Sequence, residues 1–316
     1  MSLPTVSLRG KGGSAERAFR GLVIAAGALV LVILALVAVT MLKRSWPVLG
    51  ARFGDFFTSS RWSPSSDFYG VLGFLFGTAL TSALAIVLSV PVSIGIALFV
   101  TQIVPPRWRR PIVYSLDLLA VVPSVVFGFW GLSVLAPKIV NVYRWLHDTF
   151  HSVPVLRSVF GTPNGRSFFT AGIILAIMIT PIITSISREV VDTTPPGEKE
   201  AALALGATRW EMIRGAVLPH SQGGLVGAVV LGLGRAMGET IAAALIIGSS
   251  STVTANLFAS GGSMPAVIAD QWGEADSTHK AALISLAVTL FVVTILVNTA
   301  ATVIVGRSQR RTQGLR

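Results

Sequence analysis

Residues 200–219 read E-A-A-L-A-L-G-A-T-R-W-E-M-I-R-G-A-V-L-P, a stretch polar enough to leave a membrane although apolar segments flank it on both sides. Two short helices around a bend are the natural reading. Pro195 and Pro196 open the first, where a missing N–H costs least, and good helix formers follow. Gly206 is the residue type that closes a helix in the left-handed conformation. Thr208 and Glu211 have the spacing of a capping box, which satisfies two orphan N–H groups of the next helix. Trp210, Ile213 and Val217 are expected along one face of that helix, and Pro219 is expected to stop it. Ala201, Ala202 and Gly206 carry almost no side chain, so another backbone can approach them closely.

Composition explains what surrounds this stretch. Of 316 residues, 52% are hydrophobic and only 12% are charged. A soluble domain carries about 25% charged residues, so the chain reads as an all-α, polytopic membrane protein. The net charge of +11 comes from basic residues scattered in short loops beside apolar runs. No basic patch interleaves with aromatic residues, so a nucleic-acid partner is not expected. The absence of cysteine removes disulfide and thiol chemistry. His147, His151, His220 and His279 are read as lacking metal-ligand spacing, and no metal site is expected.

Six spans are expected. A polar tail (1–20) precedes an apolar run at 21–42, about 33 Å long as a helix against roughly 30 Å of hydrocarbon. A polar outer loop (43–68) leads to a transmembrane domain at 69–306, with spans at 69–100, 111–136, 168–186, 223–248 and 281–306. The helical loop 194–219 lies between the fourth and fifth, and 307–316 is a second tail. Pro91 interrupts the second span and Pro123 the third; such breaks are tolerated where neighbouring helices or a cavity re-satisfy the backbone.

Basic residues indicate the orientation. Lys and Arg number four in the first tail, three at 107–110, four between Arg188 and Arg214, and four after Gly306. The opposite side holds four at 43–61, four at 138–166, and Lys280. The positive-inside rule then makes both termini and the 194–219 loop cytoplasmic.

Two charges stand within the fifth expected span. Arg235 and Glu239 occur in G-L-G-R-A-M-G-E-T. A charge at a helix centre costs roughly 2.5–3.5 kcal/mol on insertion scales, so these two are expected to share one helix face, neutralise each other and look into the bundle or a wet cavity. Gly232, Gly234 and Gly238 are expected to leave room for an anion or another helix. Asp117 lies nearer a membrane face, where an interfacial role is the plainer reading.

Glu200, Ala201, Ala202, Gly206, Leu218 and Pro219 fall in the register E-A-A, three residues, Gly, nine residues, Ile, any residue, Leu-Pro, and so resemble the EAA loop of MetI-like ABC-importer permeases. Ala216 stands where that family usually has Ile. Residues 56–64 (F-F-T-S-S-R-W-S-P), 117–131 (D-L-L-A-V-V-P-S-V-V-F-G-F-W-G), 184–190 (T-S-I-S-R-E-V) and 235–240 (R-A-M-G-E-T) are similar to permease subunits of phosphate ABC importers, and to the PstC branch rather than the PstA branch. Glu is frequent in that family at the position of Asp117, and Gly-Asn at the position of Gly248-Ser249.

The resemblance implies a bacterial inner-membrane subunit that pairs with a second, PstA-like permease and two PstB-like ATPases. An external PstS-like protein would deliver inorganic phosphate. It further implies ATPase coupling through Glu200, Ala201, Ala202, Gly206, Leu218 and Pro219, and a substrate pathway at Arg235 and Glu239. The chain has no G-x-x-x-x-G-K-[ST] loop, so ATP and Mg²⁺ are expected on the partner ATPase and no cofactor here. A sulfate, molybdate or organic-nutrient permease would share the coupling loop. An ion-coupled transporter or channel would leave the EAA register unexplained.

Overall fold

The structure, a computed structural model, describes residues 13–313, excluding the side chains of residues 14, 15 and 304–313. Most of the expected first tail (1–20) and the end of the second (307–316) therefore lie outside the described residues.

In chain order the elements are α1 (Ser14–Leu49), α2 (Phe53–Thr58), β1 (Trp62–Ser63), β2 (Phe68–Tyr69), α3 (Leu72–Leu98), α4 (Pro106–Val121), α5 (Ser124–Trp130), α6 (Ala136–Phe150), α7 (Pro154–Val159) and α8 (Phe168–Asp192). They continue as α9 (Pro196–Ala204), α10 (Arg209–Met212), α11 (Leu218–Gly238), α12 (Ile241–Ile247), α13 (Met264–Gln271) and α14 (Ser277–Gln313). Short π-helical turns at Phe99–Ile103, Gly131–Leu135 and Ile213–Val217 extend or join helices. Six membrane-spanning helices result: Glu16–Leu49, Leu72–Ile103, Ser124–Phe150, Phe168–Asp192, Arg209–Gly238 and Ser277–Val303.

The centre of the bundle is the pair α3 and α8. Thr78, Ser82, Ala85, Ser89, Ser93 and Ala97 form a buried seam of small side chains along α3. α8 meets α3 at Thr180 and Thr184, beside Ser93, and at Gly172, beside Leu84. Small residues let two helix backbones approach in lipid, where no hydrophobic drive holds helices together. A Cβ on Gly172 would stand 2.7 Å from Leu84 Cβ, so glycine is required there. Ser93 Oγ donates to the Thr180 carbonyl at 3.2 Å, and Thr184 Oγ1 donates to the Ser93 carbonyl at 3.4 Å. Beyond this seam a cluster including Ile174, Ile179, Ile183, Ala228, Ala242 and Ile246 joins α8 to α11 and α12.

At one end of the bundle β1 and β2 form a hairpin, with Trp62 opposite Tyr69. Asp67 supplies the left-handed residue of its turn, at φ 47°. Trp62 Nε1 donates to Gln271 Oε1 at 2.9 Å, and the same oxygen lies 3.0 Å from His279 Nε2. One glutamine oxygen thus ties the hairpin to α13 and α14. Burial, with Asp67 and Asp276 nearby, pushes the Tyr69 phenol up to about 12.

Several expected boundaries move. α1 runs well past both ends of the 21–42 stretch, carrying Lys43, Arg44 and Pro47 within it. The second span starts at Leu72 and its helix passes through Pro91. The helix of the fourth continues to Asp192, and that of the sixth begins at Ser277.

The third expected span (111–136) is divided: α4 ends at Val121, Val122 is extended (ψ 126°), and Pro123 precedes α5. Proline drives the preceding residue out of the helical region, so the helix restarts on a new axis. The membrane-spanning helix is then Ser124–Phe150, which absorbs the first part of what was expected to be an outer loop. α4 has no buried residue and is a basic and aromatic amphipathic helix instead.

The fifth expected span (223–248) is also recut. Its helix is already running at Arg209 and ends at Gly238. Pro219 does not stop it. In the π turn before it, Leu218 N–H reaches back to the Ile213 carbonyl, which shifts the bonding register where proline has no N–H to offer.

Candidate functional site

The bend at 204–208 is built by local chemistry. Gly206 has φ +87°, as its residue type suggested. Ala207 N–H bonds the Ala202 carbonyl at 3.2 Å and Gly206 N–H bonds the Leu203 carbonyl at 3.0 Å, the paired bonds of a Schellman helix end. Thr208 then caps α10 in a reciprocal box: its N–H reaches Glu211 Oε2 at 2.7 Å, and Glu211 N–H reaches Thr208 Oγ1 at 3.3 Å. With both helix ends saturated, the bend is a rigid element.

Its inner face is anchored by Val191, Met212, Ile213, Val217 and Leu225, against which Ile94, Leu98 and Ala202 pack. His220 Nδ1 lies 3.4 Å from Glu198 Oε2 and ties α11 to α9. The outer face is bare. Glu200, Ala201, Gly206 and Pro219 are exposed and Leu218 is half-buried. Leu205 is 90% exposed, with Trp210 and Leu203 uncovered nearby. The expected single face of Trp210, Ile213 and Val217 is divided: Ile213 and Val217 are buried together with Met212, whereas Trp210 is exposed. Periodicity alone cannot distinguish Trp210 from Met212 as the residue that begins the buried face. A rigid bend presenting uncovered leucine and tryptophan is a surface suited to a partner.

The end of α11 carries the two charges, and the structure alters their relation. The helix ends at Gly238, and Glu239 has extended geometry (φ −69°, ψ 125°). Arg235 and Glu239 therefore do not lie on one helix face, and no salt bridge between them is found among the described residues. Glu239 is buried, 8% exposed, and its Oε1 accepts from Ala242 N–H at 3.3 Å. Its carboxylate thus serves the first turn of α12, where a negative charge meets orphan N–H groups. Arg235 is exposed on the opposite stripe, in line with Gly227, Leu231 and Gly238.

The three neighbouring glycines also divide. A Cβ on Gly232 would meet Ile183 Cδ1 at 2.6 Å, so this glycine serves helix packing rather than open space. Gly238 faces open space, and Gly234 lies beside Asn298 Nδ2, at 3.7 Å from a built Cβ. Asn298, with a buried Oδ1 lacking a partner, was missed by sequence reasoning. The signal was present, since an amide within an apolar run of α14 stands out for the same reason as Arg235. Asp117 is exposed on α4.

The reading that no two histidines stand at ligand spacing is corrected as well. His147 and His151 are four residues apart at the end of α6, in H-D-T-F-H, with ring centroids 5.9 Å apart. Among the described residues, no three His, Cys, Asp or Glu side chains converge as metal ligands.

Comparison with known proteins agrees with this architecture. Residues 89–313 match the family described as binding-protein-dependent transport system inner membrane component. The chain is 41% identical over 291 residues to the phosphate transport system permease protein PstC of Mesorhizobium japonicum, covering 91% of this chain and 89% of that protein. It is 43% identical over 297 residues to PstC 2 of Mycobacterium tuberculosis, covering 92% of each. Among solved structures, a chain of a bacterial alginate ABC transporter superposes with TM-score 0.56 at 16% identity, covering 94% of this chain and 97% of that one. A chain of the inward-facing MetNI methionine ABC transporter superposes with TM-score 0.55 at 16% identity, covering 76% and 95%. At such identities the likeness is one of fold alone, the MetI-like permease fold. Extended through nearly the whole chain at about 40% identity, the sequence similarity makes this protein a member of the PstC family within the binding-protein-dependent transport system inner membrane components.

Proposed function

We propose that this chain is the transmembrane permease subunit of an ATP-driven phosphate importer. It passes the anion unchanged and borrows its energy from cytosolic ATPases. The observation that carries the coupling half of this reading is the doubly capped bend at Gly206, held rigidly to the bundle with its apolar outer face uncovered. The phosphate half rests on similarity to phosphate permeases that covers 91–92% of the chain. Its partners are a second, PstA-like permease, two PstB-like ATPases and a PstS-like binding protein outside. ATP-driven closure of the ATPase pair pushes on α9 and α10. Because Met212, Ile213 and Val217 pack on Ile94 and Leu98, that push reaches α3 and α11 as a rigid-body tilt. The exposed Arg235 stripe then lines the pathway shared with the second permease.

The deciding experiment is radiolabelled phosphate uptake in cells with and without this chain, with the PstB-like ATPase present or deleted and excess sulfate as competitor. Uptake is expected only with both proteins and is expected to resist sulfate. Uptake that survives loss of the ATPase would make the protein a channel or ion-coupled carrier, and sulfate uptake in its place would reassign the substrate.

Both termini and the coupling bend are assigned to the cytoplasm. The basic-residue bias supports this, and so does the placement of Arg109, which donates to the Val100 and Thr101 carbonyls at 3.1 and 2.6 Å. That contact puts the basic turn of α4 at the same end of α3 as Leu98, hence beside the coupling bend. On this cysteine-free background, Arg61→Cys and Lys280→Cys are expected to react with an impermeant maleimide added outside intact cells. Arg107→Cys and Arg209→Cys are expected to react only after permeabilisation. External labelling at Arg209→Cys would invert the assignment.

A further inference from the structure

We infer that His147 and His151 form a two-point chelate for a divalent transition-metal ion of intermediate softness, such as Zn²⁺ or Ni²⁺. Residues four apart on a helix are stacked one turn above the other, the relation that lets paired histidines on a helix share one metal. α6 is helical to Phe150, and His151 keeps helical geometry (φ −55°, ψ −32°), so the spacing is realised in space. Two imidazoles on one ion with Zn–N of 2.0–2.1 Å in tetrahedral geometry have centroids about 5 Å apart. The observed 5.9 Å needs less than an ångström of closure, a change within reach of side-chain torsions.

A second observation concerns tautomer. His147 Nδ1 lies 2.7 Å from the Phe160 carbonyl, a group that can only accept, so Nδ1 carries the proton and Nε2 carries the free lone pair. Metal-binding histidines are commonly oriented in this way, by donating the other ring N–H to a carbonyl. Nε2 is therefore the His147 nitrogen available to a metal, and His151 is exposed beside it. His151 also lines an open cleft of about 450 Å³ with Ser152, Pro154, Arg157 and Ser158, so its ring is open to solvent on that side. Arg157 lines the same cleft, and its positive charge opposes a cation and keeps affinity moderate. Coordination releases no covalent product: two neutral nitrogens replace two waters of the ion.

The competing reading is a plain edge-to-face ring contact, and the variants are chosen to separate the two. His151→Phe keeps an aromatic ring against His147 and removes the donor nitrogen. His147→Asn keeps an N–H near the position of Nδ1 for the Phe160 carbonyl and removes Nε2. The full chain, purified in detergent through a histidine-free affinity tag, is titrated with Zn²⁺ and with Ni²⁺ in competition with a chromophoric chelator. The wild type is expected to bind one equivalent, and each variant to bind at least tenfold more weakly with an unchanged thermal melt in the absence of metal. His220→Gln is expected to bind like the wild type. No binding by the wild type, a loss below tenfold in either variant, or an equal loss in His220→Gln would overturn the assignment.

Discussion

Arg235→Gln is expected to reduce phosphate uptake by at least two orders of magnitude while leaving the yield of assembled complex within about twofold of wild type. Arg235 is exposed on the α11 stripe, so its neutral replacement leaves no buried group without a partner. Insertion is not impaired, because a neutral side chain costs less than a cation within a membrane span. What is lost is the attraction for an oxyanion, and Coulomb terms grow steeply as the surrounding dielectric falls.

Glu239 requires a different pair of variants, because its carboxylate bonds Ala242 N–H rather than Arg235. Glu239→Gln keeps an oxygen for that N–H and removes the charge. It is expected to preserve assembly and slow turnover, since it removes the charge just past the helix that carries Arg235 while keeping the hydrogen bond to Ala242. Glu239→Ala strands the N–H in an apolar setting, at about 1–3 kcal/mol, and is expected to reduce the assembled complex. Complex yield and uptake measured together decide the matter. If Arg235→Gln combined with Glu239→Gln transports at the wild-type rate, the charges serve only the architecture and the pathway lies elsewhere.

The second large effect is expected at Gly206. Its φ of +87° costs any side chain roughly 1–2 kcal/mol, yet a Cβ there meets nothing within 4 Å. Alanine and leucine therefore suffer a similar backbone penalty and differ only in what they project from the exposed face. Gly206→Leu is expected to lower permease-stimulated ATP hydrolysis at least tenfold, and Gly206→Ala two- to threefold, with membrane insertion unchanged in both. The comparison separates docking from folding. Equal losses in the two variants would mean that only the turn conformation matters, and wild-type stimulation by Gly206→Leu would remove this face from the ATPase contact.

By itself the sequence determined what is settled within a few residues or by composition. The six spans follow from apolar runs long enough to cross hydrocarbon, because no polar environment competes for them. The Gly206 bend and the Thr208–Glu211 box were legible because donor and acceptor lie within five residues of each other, so no distant packing enters. Only the tertiary structure decided which way the ambiguous residues went. Pro219 and Pro123 look alike as helix breakers. A π turn carries the chain through the first, whereas at the second Val122 turns extended and a new helix starts. Gly232 reads as open space until Ile183 of α8 arrives against it. Trp210 is exposed and Met212 buried because burial is set by α3 and α8, some twenty to a hundred residues away in the chain. Arg235 and Glu239 are four apart in any reading, but sharing a face requires one continuous helix. The backbone instead breaks at Glu239, where the first turn of α12 offers its carboxylate an N–H. Spacing specifies neighbours only while the helix persists, and whether it persists is decided by what packs against it.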